Sequence, residues 1–168
     1  MKKLFYYISG IIIIFSSCND NSKEAVNYND AIIQKQDSIV SLIDSLDRLI
    51  MSKDSIHMLD YHKSIIIEID KKIHVLDKSE NFEKNTDFKN SALQLFQNYK
   101  DIVQFKYNKI ISINLLPNTD FNKDTLEKFN LLINEINNEL YESLDLFLIA
   151  QKDFAKKHNF SLVEQINK

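Results

Sequence analysis

Four stretches of the chain repeat apolar residues at steps of three and four positions, with polar residues between them. The fourth stretch is the most regular, and its repeated positions are Leu126, Phe129, Ile133, Ile136, Leu140, Ser143, Phe147, Ala150 and Phe154. Such spacing places the repeated side chains along one face of an α-helix, whereas a half-buried strand would alternate strictly. The pattern therefore predicts four long helices, at about 24–51, 55–78, 87–114 and 126–154.

Short polar segments separate the predicted helices and supply residues that cap helix ends. Ser52 and Asp54 precede the second helix, and Asp124 stands three positions before Glu127, in the spacing of a capping box. Connections this short make consecutive helices antiparallel neighbours. The pattern thus predicts an all-α fold, an up-down-up-down antiparallel four-helix bundle that occupies residues 25–168.

The N-terminus has the order of a secretory signal peptide. Two lysines precede an apolar run over 4–15, which as a helix would rise about 18 Å, too short for a hydrocarbon core of about 30 Å. The sequence Phe-Ser-Ser-Cys at 15–18 resembles the lipobox of bacterial lipoproteins. The resemblance implies a signal peptide over 1–17, an acylated Cys18 and a flexible tether over 18–24. The alternatives are an uncleaved N-terminal anchor and a conventional signal that leaves Cys18 as a free thiol.

Composition removes several classes of function. The chain has 168 residues, a net charge of −3 and a single glycine, Gly10, within the apolar run. P-loops, dinucleotide-binding turns and nucleophile elbows all require glycines, so none of them is expected. One cysteine makes neither an internal disulfide nor a cysteine-based metal site, and the lack of a basic stripe argues against nucleic acid as a partner. No catalytic residue is identified, and the protein is predicted not to be an enzyme.

The clearest candidate for metal ligation lies at one end of the predicted bundle. The second and fourth helices run in the same direction there, so His158 could approach Asp70, His74 and Asp77. A solvated end that gathers polar residues explains the same arrangement. We therefore expect no metal ion and no cofactor at these weak candidates.

Two other histidines, His57 and His62, lie in the first turns of the second predicted helix. His57 follows Asp54 at a spacing that resembles one ligand pair of a di-iron bundle, but the match occurs once and at a helix start. His62 lies at the edge of the apolar face, where we expect its polar edge to be hydrogen-bonded or in water. Neither position predicts a metal or haem site.

Aromatic residues cluster in or near the third helix: Phe82, Phe88, Phe96, Tyr99, Phe105 and Tyr107. They predict a bulky core, and the alternative is an apolar groove for a ligand or a partner helix.

The C-terminal segment 160–166 is too apolar for an idle tail. Asn159 offers a helix stop before it. We expect this segment to fold back over the end of the second helix and to cover Ile73 and Leu76. The alternative is that it stays exposed as a partner-binding element.

Two segments carry a family resemblance. The sequence Tyr-Asn-Asp-Ala-Ile-Ile at 28–33, with Gln36, lies near the start of the predicted domain, and Ala-Gln-Lys-Asp-Phe-Ala-Lys-Lys-His-Asn-Phe at 150–160 lies near its end. Both resemble an uncharacterised family of Gram-negative surface lipoproteins, of the Bacteroidetes and spirochaete type. The resemblance implies a helical, envelope-located protein and supplies no catalytic residues.

These features favour a non-enzymatic lipoprotein, held at the outer membrane or cell surface of a Gram-negative bacterium through a lipid on Cys18. It would engage an envelope or host protein through a helix face. The alternative is a small-ligand or metal-binding bundle, acting as a sensor or carrier in the periplasm or at the cell surface.

Overall fold

The computed structural model describes five ranges of the chain: 12–14, 20–52, 54–84, 86–117 and 119–163. The helices in these ranges are α1 (Asp20–Ser52), α2 (Ser55–Lys78), α3 (Asp87–Asp101), a π-helix (Ile102–Tyr107), α4 (Asn108–Asn114) and α5 (Lys123–Lys157). Two short strands, β1 (Ile12–Ile14) and β2 (Ser161–Val163), flank them. Because α3, the π-helix and α4 follow one another without a break, the described ranges form four long helices, and the predicted all-α bundle is confirmed.

One face of each long helix is buried in a common core. The fully buried side chains include Ile32, Ile39, Ile43, Leu46, Met58, Ile65, Ile69, Phe88, Phe96, Tyr99, Tyr107, Ile136 and Phe147. Four of the six aromatic residues noted near the third helix are among them, so the prediction of a bulky core is confirmed for these four. Phe82 is half-buried, and Phe105 is 58% exposed.

Hydrogen bonds and ion pairs between helices show the direction in which neighbours run. Within each pair of helices, the residue number of the partner falls as the residue number along the first helix rises. The contacts are Ser22 with His158, Asn29 with Gln151, Asp70 with Lys100, Asp77 with Lys89, Ser91 with Leu146, and Asn98 with Glu139. Three pairs are therefore antiparallel, namely α1 with α5, α2 with α3, and α3 with α5.

The first helix begins earlier than predicted. It starts at Asp20, and Ala25 and Val26 are already buried, at 0% and 3% exposure. The predicted flexible tether is therefore wrong for residues 20–24, which form the first turn of α1. Apolar periodicity missed this turn because its own side chains are polar and become helical through contacts of Asn21 and Ser22 with other elements.

The cap of α5 also differs from the prediction. The Asn122 side chain accepts a hydrogen bond from the Thr125 N–H at 3.0 Å, and Asp124 lies inside the first turn rather than at the cap. Asparagine and aspartate cap helices equally well, so spacing alone could not choose between them. At α2, by contrast, the predicted cap Asp54 is confirmed, since its side chain accepts from the His57 N–H.

The apolar face of α5 is buried unevenly. Ile136, Phe147 and Phe154 are buried, whereas Leu126 at the start of the predicted series is 47% exposed. Gln151 is fully buried one position after the predicted Ala150. Within the described ranges α5 packs mainly on α3, and the hydrogen bonds to α1 come from Gln151 and from His158, at the C-terminal end of the helix.

A π-helix interrupts the third long helix, a feature that the apolar spacing did not predict. Its wider turn changes the regular α-helical bonding of the backbone. The Nε2 atom of buried His62 lies 2.8 Å from the Val103 carbonyl oxygen within this turn. A carbonyl oxygen only accepts, so Nε2 carries the proton and donates. The expectation that the polar edge of His62 is hydrogen-bonded is confirmed.

The chain turns back after α5. Asn159 has a φ of 56°, which ends the helix as predicted, and the Phe160 N–H donates to the Ala155 carbonyl at 3.1 Å. Phe160 then packs on the core against Phe154 of α5. The chain therefore folds back at this residue, and the covering of Ile73 and Leu76 stays a prediction. The next three residues form β2 and pair with β1, while Ile166 lies outside the described residues.

None of the helices in the described ranges combines the length and the hydropathy that a membrane span requires.

Candidate functional site

The two segments that carry the family resemblance meet in the structure. The Gln151 side chain donates through Nε2 to the Asn29 Oδ1 atom at 2.8 Å, and both residues are fully buried. Beside them the ring centroids of Tyr28 and Phe154 are 5.7 Å apart. The antiparallel packing of α1 on α5 thus brings residues from the two ends of the domain into one contact.

A cluster of rings surrounds this contact, at the end of the bundle where α1 begins. We name it the aromatic cluster, and its members are Tyr28, Phe82, Phe88, Phe154, His158 and Phe160. The rings of Phe88 and Phe154 are stacked with centroids 5.0 Å apart, whereas Phe82 meets His158 edge-on at 4.8 Å. Such pairs stabilise a fold by about 0.5–1.5 kcal/mol each beyond the area that they bury. The cluster joins α1, α3, α5 and the segment between α2 and α3.

Three buried polar atoms in this region have no hydrogen-bond partner within the described residues. They are the hydroxyl oxygen of Tyr28, Oε1 of Gln151 and Nε2 of His158. Burial lowers the pKa of His158, and the positive charge of Lys157 lowers it further, against the opposing effect of Glu83. The His158 ring is therefore a neutral imidazole at pH 7, with a nitrogen directed into the protein.

The four weak metal candidates are not brought together. Asp70 forms an ion pair with Lys100, and the side chains of His74 and Asp77 are exposed. His158 is only 6% exposed and lies against aromatic rings, so the expected solvated end is wrong for this residue. Across the described ranges, no three histidine, cysteine, aspartate or glutamate residues are close enough to hold a metal ion.

Asp54 and His57 act together as a helix cap. The Asp54 Oδ1 atom accepts from the His57 N–H at 3.2 Å, and Oδ2 lies 2.7 Å from His57 Nδ1. The imidazole is 74% exposed. This pairing explains their spacing as a helix start, in place of a ligand pair.

A half-buried acid, Asp47, lies near the end of α1, and apolar periodicity does not identify it. The Tyr107 hydroxyl donates to Asp47 Oδ1 at 2.8 Å. Burial raises the pKa of Asp47 to about 7, although the hydrogen bond from Tyr107 lowers it and Asp44 adds a smaller increase. The pKa of Tyr107 is also raised, by its own burial and by the neighbouring carboxylate.

The π-helix is also tied to α5 by a shared cation. Lys106 Nζ lies 2.9 Å from a carboxylate oxygen of Glu135 and 2.9 Å from one of Glu139. The Lys106 side chain is 18% exposed, and its hydrogen bond to Glu135, together with its positive charge, lowers the pKa of Glu135. The π-helical region therefore carries contacts to α1, α2 and α5.

The opposite end of the bundle has a different character. Asn114 Nδ2 donates to the Ile50 carbonyl at 2.7 Å and so joins the last turn of α1 to the end of α4. Several large apolar side chains are exposed around these turns: Met51, Ile56, Leu115, Leu116, Phe121 and Leu126. We name these six residues the apolar end.

Cys18, the predicted lipidation site, lies outside the described residues, two positions before the first residue of α1. No family model, curated protein sequence or solved structure matches the chain.

Proposed function

We propose that this protein is a lipid-anchored lipoprotein at the outer membrane or surface of a Gram-negative cell, where it serves as a non-enzymatic helical interaction module. The observation that carries the proposal is the contrast between the two ends of the bundle. One end is closed by hydrogen bonds and packed rings next to the predicted lipidation site, and the other exposes the apolar end.

The position of α1 supports attachment at its first turn. Asn21 Nδ2 donates to Glu83 at 2.9 Å, and the Ser22 hydroxyl donates to the His158 carbonyl at 3.0 Å. Acyl chains on Cys18 would leave the protein only two positions before Asp20, so the bundle would be held close to the bilayer. Several acyl chains anchor a protein far more firmly than one does.

The apolar end supports the role as an interaction module. Ile56 in the first turn of α2 is 75% exposed, and Met51 in the last turn of α1 is 62% exposed. Grouped apolar exposure of this kind marks protein contact sites more often than isolated surface residues do. A helix of 33 residues is about 50 Å long, so α1 would present this end far from the bilayer.

A second candidate is a small-ligand bundle that acts as a sensor or carrier. The unpartnered polar atoms of Gln151 and His158 beside aromatic rings favour it. Native mass spectrometry of the purified protein separates the two functions, because a carrier retains a low-molecular-weight ligand and an interaction module retains a protein.

The anchor is tested by the variant Cys18→Ser. We expect this variant to remain uncleaved by the lipoprotein signal peptidase. Its intact mass should lack diacylglycerol. It should remain in the membrane as the precursor or, if released from the membrane, partition into the aqueous phase instead of the detergent phase. Ser17→Ala is the matched control and should be processed and acylated normally. Acylation of another residue, or unchanged processing of Cys18→Ser, would refute the anchor.

The interaction module is tested at the apolar end. The double variant Leu116→Lys, Phe121→Lys places two charges at the apolar end. Each apolar side chain that becomes buried against a partner contributes about 1.5–3 kcal/mol to the binding free energy, and the lysines would lose this contribution. We expect a loss of at least tenfold in the recovery of cross-linked envelope proteins, with an unchanged melting temperature. Ile67→Lys on the flank of α2, where Ile67 is 57% exposed, is the control. Equal losses in both variants would contradict a contact at this end.

A further inference from the structure

Strand β2 is held in place by the bundle itself. The positive φ of Asn159 turns the chain, the Phe160 N–H bonds to the Ala155 carbonyl, and the Phe160 ring packs on Phe154 with centroids 5.9 Å apart. Leu162 in the middle of β2 is half-buried. The contacts of Asn159 and Phe160 come from α5 and the core, and α5 also lies close to β2, so they place the start of the strand independently of its pairing partner.

The partner of β2 is β1, which belongs to the predicted signal peptide. The two strands are antiparallel, with Ile12 opposite Val163, Ile13 opposite Leu162 and Ile14 opposite Ser161. Cleavage before Cys18 removes β1. The backbone N–H and C=O groups of β2 that face β1 then lose their partners, and such an edge is a template for another strand.

We propose that in the mature protein this edge of β2 binds an extended, isoleucine- or valine-rich segment of another envelope protein, in the antiparallel register that β1 occupies in the full chain. The proposal rests on the proposed function, since it requires removal of residues 1–17. Strand addition of this kind takes its affinity from main-chain hydrogen bonds and its specificity from alternate side chains. The chain's own β1 shows the chemistry of the segment that the edge accepts.

The probe for this site is a fluorescent peptide with the sequence of residues 9–16 between lysines added for solubility. It is titrated into the mature lipoprotein in mild detergent, with empty micelles as the blank. We expect saturable binding that falls at least tenfold in the protein variant Leu162→Pro, because a proline in the middle of a three-residue strand disrupts pairing with another strand. Leu162→Val keeps a residue that favours strands and should bind within twofold of the wild type. Equal binding by the wild type and Leu162→Pro overturns the proposal.

Hydrogen exchange supplies a measurement that does not depend on a variant. Saturating peptide should slow amide exchange in 161–163 at least tenfold and leave the rest of the chain unchanged. No slowing, or a protein dimer that excludes the peptide, overturns the proposal. The intact mass reports separately on cleavage. If residues 1–17 are retained, the anchor proposal fails. The edge of β2 is then tested by the same titration on the full-length variant Ile13→Pro, because the proline prevents normal pairing of β1.

Discussion

Replacing Ile136 by aspartate is expected to abolish the cooperative folding of the bundle or to lower its free energy of unfolding by about 4 kcal/mol or more. Ile136 is fully buried in the middle of α5 and belongs to the common core. An unpaired carboxylate in this apolar core must stay neutral, or the helix must move to expose it. Domains of this size have total stabilities of about 5–15 kcal/mol, so the loss is a large fraction of the whole.

The matched control is Asn138→Asp, two positions further along α5. Asn138 is exposed, and a surface substitution away from special contacts changes stability by about 0.5 kcal/mol or less. Urea denaturation followed by circular dichroism measures both variants. Similar midpoints for the two would show that the assignment of buried and exposed faces of α5 is wrong.

The second large effect is expected at Asp47 and depends on pH. The folded pKa of about 7 lies above the ordinary value of 3.8, so the folded protein holds a proton that the unfolded chain has released between these values. The ionisation of Asp47 therefore leaves the free energy of unfolding unchanged below pH 3.8. It lowers this free energy as the pH rises from 3.8 toward 7, and the free energy stays reduced above pH 7. A difference of about three pKa units corresponds to about 4 kcal/mol.

Asp47→Asn removes the ionisation and keeps an oxygen that accepts the Tyr107 hydrogen bond. We expect the variant to become more stable than the wild type as the pH rises from 4 to 8, by about 2–4 kcal/mol at the upper end. Denaturant unfolding across that range measures the difference. Asp60→Asn, at an exposed carboxylate on α2, should follow the wild-type curve. If the free energies of unfolding of Asp47→Asn and the wild type differed by the same amount at all pH values, the ionisation of Asp47 would be excluded as the cause of the difference.

The helices could be predicted from the sequence because their apolar faces repeat without interruption. The third helix has the predicted range 87–114. Asp54 caps the start of α2, and Asn159 follows the end of α5, as expected. The π-helix could not be predicted, because one wider turn changes the spacing too little to be visible among so many isoleucines. Its contact with His62 depends on the distance between α2 and the third helix, which no local pattern encodes.

The candidate site was less accessible to sequence reasoning. Asn29 and Gln151 are polar, so apolar spacing assigns them to the surface, yet they are buried because each satisfies part of the other's hydrogen bonding. Their position within the two resembling segments was the one available signal. Asp47 gave none, since an isolated aspartate on a long helix is most often exposed.

The hydrogen bonds of Asn21 and Ser22 in the first turn of α1 also determine how the protein would respond to a pulling force. A pull on acyl chains at Cys18 would enter the chain at Asp20, where Ser22 is bonded to the end of α5 and Asn21 to the segment before α3. The load would be shared at once among α1, the end of α5 and the segment before α3. Shear of packed helices requires many contacts to break together, whereas a free first turn would unwind one hydrogen bond at a time.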